Sequence, residues 1–189
     1  MIIVLNKRLR QALDHLGKTI QNYFNAKKRD NLIKWINTWA GYLKIDDENP
    51  TRIKYKAGDI ITVELGFNVG RELGGRHPAV VIEDNPKSSK TVMVVPLSSL
   101  KKEKNISDIH PNNIYLGELK RFNEITGKEP GTESIAVINQ MRTISKLRII
   151  KPKSGSDPRV LLEPEELRKI YEKIKEKYTS KGLNRKLDN

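Results

Sequence analysis

The chain has 189 residues, room for one domain with additions or two small ones, and carries 36 Lys and Arg against 23 Asp and Glu, a net charge of +13. That balance favours a polyanionic partner, nucleic acid before a membrane surface. There is no cysteine for a disulfide framework or a thiolate metal site, no run reaches the ~18 apolar residues of a membrane helix, and Met1-Ile-Ile-Val-Leu5 meets Lys7, Arg8 and Arg10 too soon for a signal segment. A soluble, cytoplasmic chain is expected.

The charge is spread. Residues 1–50 hold nine Lys and Arg against five Asp and Glu, and residues 151–189 hold eleven against seven, so the middle of the chain is basic as well. No single tail accounts for the total, and a polyanion surface is expected to involve the middle.

In chain order, Leu9, Leu13, Leu16, Ile20 and Phe24 recur at three- and four-residue steps, the period of an amphipathic helix. Asp30-Asn31 is a candidate cap for a second helix bearing Leu32, Trp35, Ile36, Trp39 and Leu43. The polar stretch 46–50 ends in Pro50 and reads as a linker. Residues 1–50 are therefore expected to form a helical extension, a hairpin or one long broken helix, packed on the following domain or on a second copy of it.

From Lys56 the pattern changes to strands. Residues 59–65 (DIITVEL) are rich in β-formers, and a loop with Gly66, Gly70, Gly74 and Gly75 follows. Residues 78–82 (PAVVI) and 91–95 (TVMVV) are continuous apolar runs separated by the turn Asp84-Asn-Pro86, the pattern of strands covered on both faces. Further strands are predicted at 114–116, 134–138 and within 144–150. Pro164-Glu165-Glu166 opens a helix, with proline at its first position and acid in its first turn, and Leu167, Ile170, Tyr171 and Ile174 form its buried stripe. Many short strands, glycine turns and few helices describe a small β-barrel or curled sheet. The predicted division is a helical extension over 1–50, a barrel domain with a C-terminal helix over 51–178, and a polar tail over 179–189.

Residues 70–83, GRELGGRHPAVVIE, put Arg76 and His77 at the lip of a buried strand. These are side chains suited to holding and working on a phosphodiester, since Arg offers a planar fork to phosphate oxygens and His moves protons near neutral pH. The bland alternative is a solvated turn.

Four stretches, AGDIITVELG, GRELGGRHPAVVIE, TVMVVPLSS and SIAVINQMRTISKLRI, resemble the sequence blocks of the MazF/PemK toxins, in the same order. The resemblance covers about residues 55–150 and the following helix, and leaves the first fifty unmatched. It implies a mainly β fold with helices, an SH3-like barrel shared with CcdB, and a homodimer with a shared basic groove. It also implies a hydrolase, a metal-independent endoribonuclease without cofactor that binds and cuts single-stranded RNA such as mRNA, blocked by a cognate antitoxin.

Metal-free RNA cleavage uses the substrate's own 2′-hydroxyl as nucleophile, so it needs a base, an acid and cationic donors around one phosphate. Three widely spaced histidines, His15, His77 and His110, argue against a His-rich metal site. The family's arginine before the proline of the second block is His77 here, and Arg76 stands one position earlier. Adjacent side chains on a strand face opposite ways, so His77 is expected in the groove with Arg76 turned from it. The family's threonine after the second buried strand matches Ser98, with Ser99 the candidate one register away. Gln140, Arg142 and Thr143 match the fourth block, while Asn139 stands where some members carry an acid.

The catalytic candidates are thus His77, Ser98, Arg76 and Arg142. Gly74, Gly75, Ser99, Lys101, Lys102, Asn139, Gln140 and Thr143 are candidates for RNA contact. Structural alternatives stand beside them: Gly74-Gly75 shaping a turn, His77 as a structural hydrogen-bond donor, Ser98 as a cap, Arg142 in an ion pair and Lys101-Lys102 as a solvated loop. Two functional alternatives are a non-catalytic RNA-binding module of the same fold and a gyrase-targeting toxin like CcdB.

Overall fold

The structure, a computed structural model, describes residues 6–45, 53–100 and 105–179. The chain divides into two units, residues 1–44 and 45–189. No helix among the described residues is long and apolar enough to cross a membrane.

The first unit holds α1 (Lys7–Tyr23) and α2 (Ala26–Ile45). Asn6 caps α1, its side chain accepting from the Arg8 N–H at 2.9 Å. Asn25 does the same for α2, accepting from the Lys28 N–H at 2.9 Å. The second helix therefore starts earlier than the Asp30-Asn31 cap expected from sequence, and those two residues lie inside it. Asn25 offers an oxygen to the first free amides, and Lys27, Lys28 and Arg29 are good helix formers, so nothing delays the start. Trp35 and Tyr42, two turns apart, meet edge to face with ring centroids 6.3 Å apart.

The second unit is a mostly antiparallel sheet with helices. Its backbone is β1 (Asp59–Glu64), β2 (Arg76–Val81) and β3 (Thr91–Ser99), antiparallel in sequence order. β4 (Asn113–Glu118) and β5 (Glu133–Val137) pair with each other, and β5 joins β3. β6 (Arg142–Ser145) also pairs β3, while β7 (Ile149–Lys151) and β8 (Val160–Leu161) pair β1. The path β4-β5-β3-β2-β1-β7 has two ends, so the sheet curls without closing. The expected single element within 144–150 is divided by a 3-10 turn at Lys146–Arg148, and a short helix, α3 (Lys120–Thr126), occupies a stretch without a sequence-predicted element.

Both faces of β1–β3 are buried, which is why their sequences read as continuous apolar runs. Ile61, Val63, Ala79, Val81, Val92 and Val94 pack with Tyr55, Ile144 and Ile149 on the inner face. Ile60, Val80, Val95 and Leu97 pack with Leu116, Phe122, Ile138 and Ile170 on the other. Ile170 belongs to α4 (Pro164–Tyr178), which starts at the expected proline and lays Leu167, Ile170 and Ile174 onto this second cluster. Tyr171, expected in the stripe, sits at its edge and donates from its hydroxyl to the Ile82 carbonyl at 3.0 Å.

Charged groups inside the unit are partnered. Asp59 orders the start of β1, its carboxylate accepting from the Lys56 N–H at 2.6 Å and from the Arg159 guanidinium. Lys146 is buried with its ammonium donating to the Pro86 carbonyl at 2.7 Å and lying 5.6 Å from the Tyr55 ring centre. Burial lowers the affinity of that ammonium for its proton.

Candidate functional site

The β2–β3 ladder sets the geometry. Ala79 stands opposite Pro96, Val80 opposite Val95 and Val81 opposite Val94. The ladder ends there; continued two residues further, the same register would bring His77 level with Ser98. The His77 ring confirms the approach: its Nδ1 lies 3.2 Å from the Leu97 carbonyl oxygen. A carbonyl only accepts, so Nδ1 carries the hydrogen in this contact. In the neutral ring the lone pair then belongs to Nε2, the nitrogen free to take a proton.

Alternation settles which side each residue occupies. His77 shares its face with Ala79 and Val81, whose side chains fill the inner core. Arg76 shares the opposite face with Pro78 and Val80, is exposed, and stands across from Glu64 in the β1 register. His77 is half-buried, as is Ser98. Ser98 is paired with Ile135 on its other side, and Ser99 with Ser134.

β5 and β6 run along one edge of β3 but out of phase. Leu97 pairs with Ala136, whereas Val94 pairs with Arg142, so the β5–β6 segment has three residues more than β3 over the same span. The 3-10 turn Ile138–Gln140 absorbs them. This excursion pushes Asn139 into solvent and throws Gln140 toward the glycine loop between β1 and β2.

Gln140 pins that loop. Its side-chain oxygen accepts from the Leu73 N–H at 3.2 Å and its amide nitrogen donates to the Arg71 carbonyl at 3.5 Å. The same oxygen accepts from the Arg142 guanidinium at 2.5 Å, while Arg142 Nε donates to the Gln140 main-chain carbonyl at 3.2 Å. Arg142 lies on the inner-face side of β6 with Ile144 and is held in one orientation. Thr143 is exposed, its hydroxyl 3.6 Å from the Met93 sulfur.

The glycines have local reasons. A methyl group on Gly74 would lie 2.6 Å from the Gly66 carbonyl oxygen, so this loop closes only without a side chain there. Gly75 has φ +76°, and its N–H donates to that same oxygen at 2.6 Å. Leu65 N–H returns a bond to the Gly75 carbonyl at 2.8 Å, locking the base of the loop.

Sequence reasoning passed over one cation. Lys128 follows Gly127, the left-handed cap of α3, and its ammonium donates to the Ser99 hydroxyl at 3.3 Å while lying 5.2 Å from the Phe122 ring centre. Burial pushes its pKa down. The visible signal was a glycine after a short apolar-polar stretch, Leu119 to Thr126, followed at once by lysine. Lys101 and Lys102 lie outside the described residues. His110 is elsewhere, its Nδ1 accepting from the Asn112 N–H at 3.1 Å, and His15 is on α1.

Two local arrangements are thus on view: a half-buried imidazole held against the Leu97 carbonyl, and an oriented guanidinium beside a glycine loop pinned by a glutamine. A family described as the PemK-like, MazF-like toxins of type II toxin–antitoxin systems matches residues 56–177. The chain belongs to this family. No curated protein matches the chain.

Among solved structures, this MazF-like chain is similar to an endoribonuclease in complex with its cognate antitoxin from a mycobacterial species. The identity is 15%, with 65% of this chain and 92% of the other covered, at a TM-score of 0.42. Similar too is MazF from Deinococcus radiodurans, at 17% identity, with 66% and 96% covered and a TM-score of 0.42. The MazE–MazF assembly of the same organism aligns at 14% identity, with 66% and 94% covered and a TM-score of 0.42. The MazF/PemK match, residues 56–177, begins after the helical first unit.

Proposed function

We propose that the chain is a toxin of a type II toxin–antitoxin system that acts as a metal-independent endoribonuclease on single-stranded RNA. The observation that carries this reading is the His77–Leu97 contact, which leaves the lone pair of the neutral ring on Nε2. His77 takes the proton of the substrate's 2′-hydroxyl, whose oxygen attacks the adjacent phosphorus. The bond from phosphorus to the 5′-oxygen breaks, and that oxygen receives a proton. The products are a 2′,3′-cyclic phosphate and a free 5′-hydroxyl end.

Arg142, oriented by Gln140, stabilises the charge that builds on the phosphate, and Ser98 donates a hydrogen bond to a phosphate oxygen. Arg76 lies on the opposite face of β2 and serves substrate contact more readily than chemistry. Ser99 with Lys128, Asn139 and Thr143 offers neutral and cationic contacts that position the strand. Gly74 and Gly75 shape the loop against which the RNA passes. A cognate antitoxin covers the groove, the protein pairs as a homodimer, and it works in the cytoplasm.

The test is cleavage of a single-stranded RNA oligomer in EDTA, with end-group analysis of the products. Cleavage that persists and leaves a cyclic phosphate is expected. A DNA oligomer of the same sequence should bind and resist cutting, since it lacks the nucleophile. Loss of RNA cleavage in EDTA would overturn the mechanism.

A further inference from the structure

Lys128 is a cation held by neutral groups. Its main-chain N–H donates to the Asn123 carbonyl at 2.9 Å just past the left-handed Gly127, which fixes where the side chain starts. The ammonium donates to the Ser99 hydroxyl at 3.3 Å and lies 5.2 Å from the Phe122 ring centre. Ser99 is on the Leu97 side of β3, so the lysine rests against the outer apolar cluster, to which Leu97 and Phe122 both belong. Among the described residues no carboxylate pairs with it. Those of the adjoining strands are taken elsewhere: Glu133 on β5 accepts from the Tyr115 hydroxyl at 2.5 Å, and Glu118 on β4 accepts from the Gly131 N–H at 2.6 Å.

These partners set the chemistry of the nitrogen. A ring and one hydroxyl replace only part of the water that an ammonium loses, so burial lowers the pKa of Lys128. A hydroxyl also serves either form, accepting from the ammonium and donating to the neutral amine. A carboxylate would instead hold the proton on. Lys146 shares the lowered pKa, but it is 2% exposed and its ammonium donates to the Pro86 carbonyl at 2.7 Å, so no reagent reaches it. Lys128 is only partly covered, and its nitrogen stays open to an incoming electrophile. A doubly negative acyl phosphate is such an electrophile, and a chain of net charge +13 attracts it.

We propose that Lys128 is an acylation site, a nucleophilic lysine that takes the acyl group of small acyl phosphates. The neutral Nζ attacks the carbonyl carbon, a carbon–nitrogen bond forms, and the carbon–oxygen bond to phosphate breaks. Phosphate leaves with that electron pair, and the nitrogen loses one proton to water. The product is a neutral amide, so one cation is lost from the end of β3 beside Ser99. This chemistry belongs to the amine and stands whether or not the chain cleaves RNA.

The test incubates the full chain with acetyl phosphate and follows acetylation of each lysine by peptide mass spectrometry. Exposed Lys87 is the internal reference. Lys128 is expected to react several-fold faster than Lys87 at about pH 7, with the advantage shrinking towards about pH 9.5 as exposed amines lose their protons too. Ser99→Asp places a carboxylate beside the ammonium and should slow Lys128 several-fold while Lys87 is unchanged. Ser99 is exposed, so the variant should fold, and its thermal transition checks this. Acetylation of Lys128 no faster than of Lys87 would overturn the proposal. So would an advantage that stays constant with pH or survives Ser99→Asp in a folded protein, since either would trace the rate to access alone.

Discussion

His77 shows how one hydrogen bond decides what a side chain can do. With Nδ1 committed to the Leu97 carbonyl, the lone pair of the neutral ring is on Nε2, and the ring cannot swing without breaking the contact. A positioned acid–base group contributes about 10²–10⁴-fold in rate, so His77→Ala should lower RNA turnover on that scale with the fold intact, as circular dichroism would verify. Wild-type turnover in that variant would remove His77 from the chemistry and return the role to Arg76. Gly74 makes a different point. A Cβ there meets the Gly66 carbonyl at 2.6 Å, and backbone cannot yield cheaply, so Gly74→Ala should cost roughly 1–3 kcal/mol, read by chemical denaturation. Tyr55 is the residue whose ionisation is tied to folding. Its hydroxyl donates to the Pro152 carbonyl at 2.8 Å, and burial first of all pushes its pKa up to about 12 from 10.0. A raised folded pKa means the folded state holds this proton longer than the unfolded one. The resulting stability is complete below pH 10.0 and is lost as pH rises towards about 12. Tyr55→Phe should flatten that alkaline limb in melting curves taken across this range.

At the scale of elements, β3 is the organiser. One of its edges takes β2 and the other takes β6 and then β5, and the three-residue mismatch on that second edge creates the turn that carries Asn139 and Gln140. A regular hairpin partner would have left Gln140 in a ladder with no reach to the Arg71–Leu73 loop. Gln140→Leu removes the acceptor shared by the Leu73 N–H and the Arg142 guanidinium. The expected result is a fall in the rate of cleavage larger than any change in RNA binding, measured by single-turnover kinetics against binding isotherms. The opposite split would make Gln140 a direct RNA contact. α4 contributes stability: Ile170 is fully buried in the outer cluster, and Ile170→Ala should cost about 2–5 kcal/mol in urea unfolding.

For the whole molecule, both core clusters lie within residues 53–174, so the sheet unit holds its own apolar interior. A chain beginning near Thr51 should fold and keep its RNA cleavage. A folded truncation with no cleavage would place a required group in the first fifty residues. The proposed homodimer predicts a sedimenting species of twice the 21.7 kDa chain at micromolar concentration. A single 21.7 kDa species would refute it.

Local pattern alone carried much of this protein. Period 3.6 marked α1, α2 and α4, the proline at the start of α4 marked its first turn, and continuous apolar runs marked β2 and β3 as strands covered on both faces, because each signal depends only on neighbours along the chain. The pairing of His77 with the end of β3 was partly legible too, since alternation alone separates His77 from Arg76. Other features depended on partners far away in sequence. The cap of α2 at Asn25 turned on which of two polar sites the helix reached first, and α3 was too short for its period to show. The β5–β6 turn exists because two segments of unequal length share one edge of β3, a mismatch that no single segment records. Gln140 consequently reads as a candidate RNA contact in sequence and as the pin of a loop nearly seventy residues away in space. Lys128 joined Ser99 for the same reason: the sheet, not the chain, makes them neighbours.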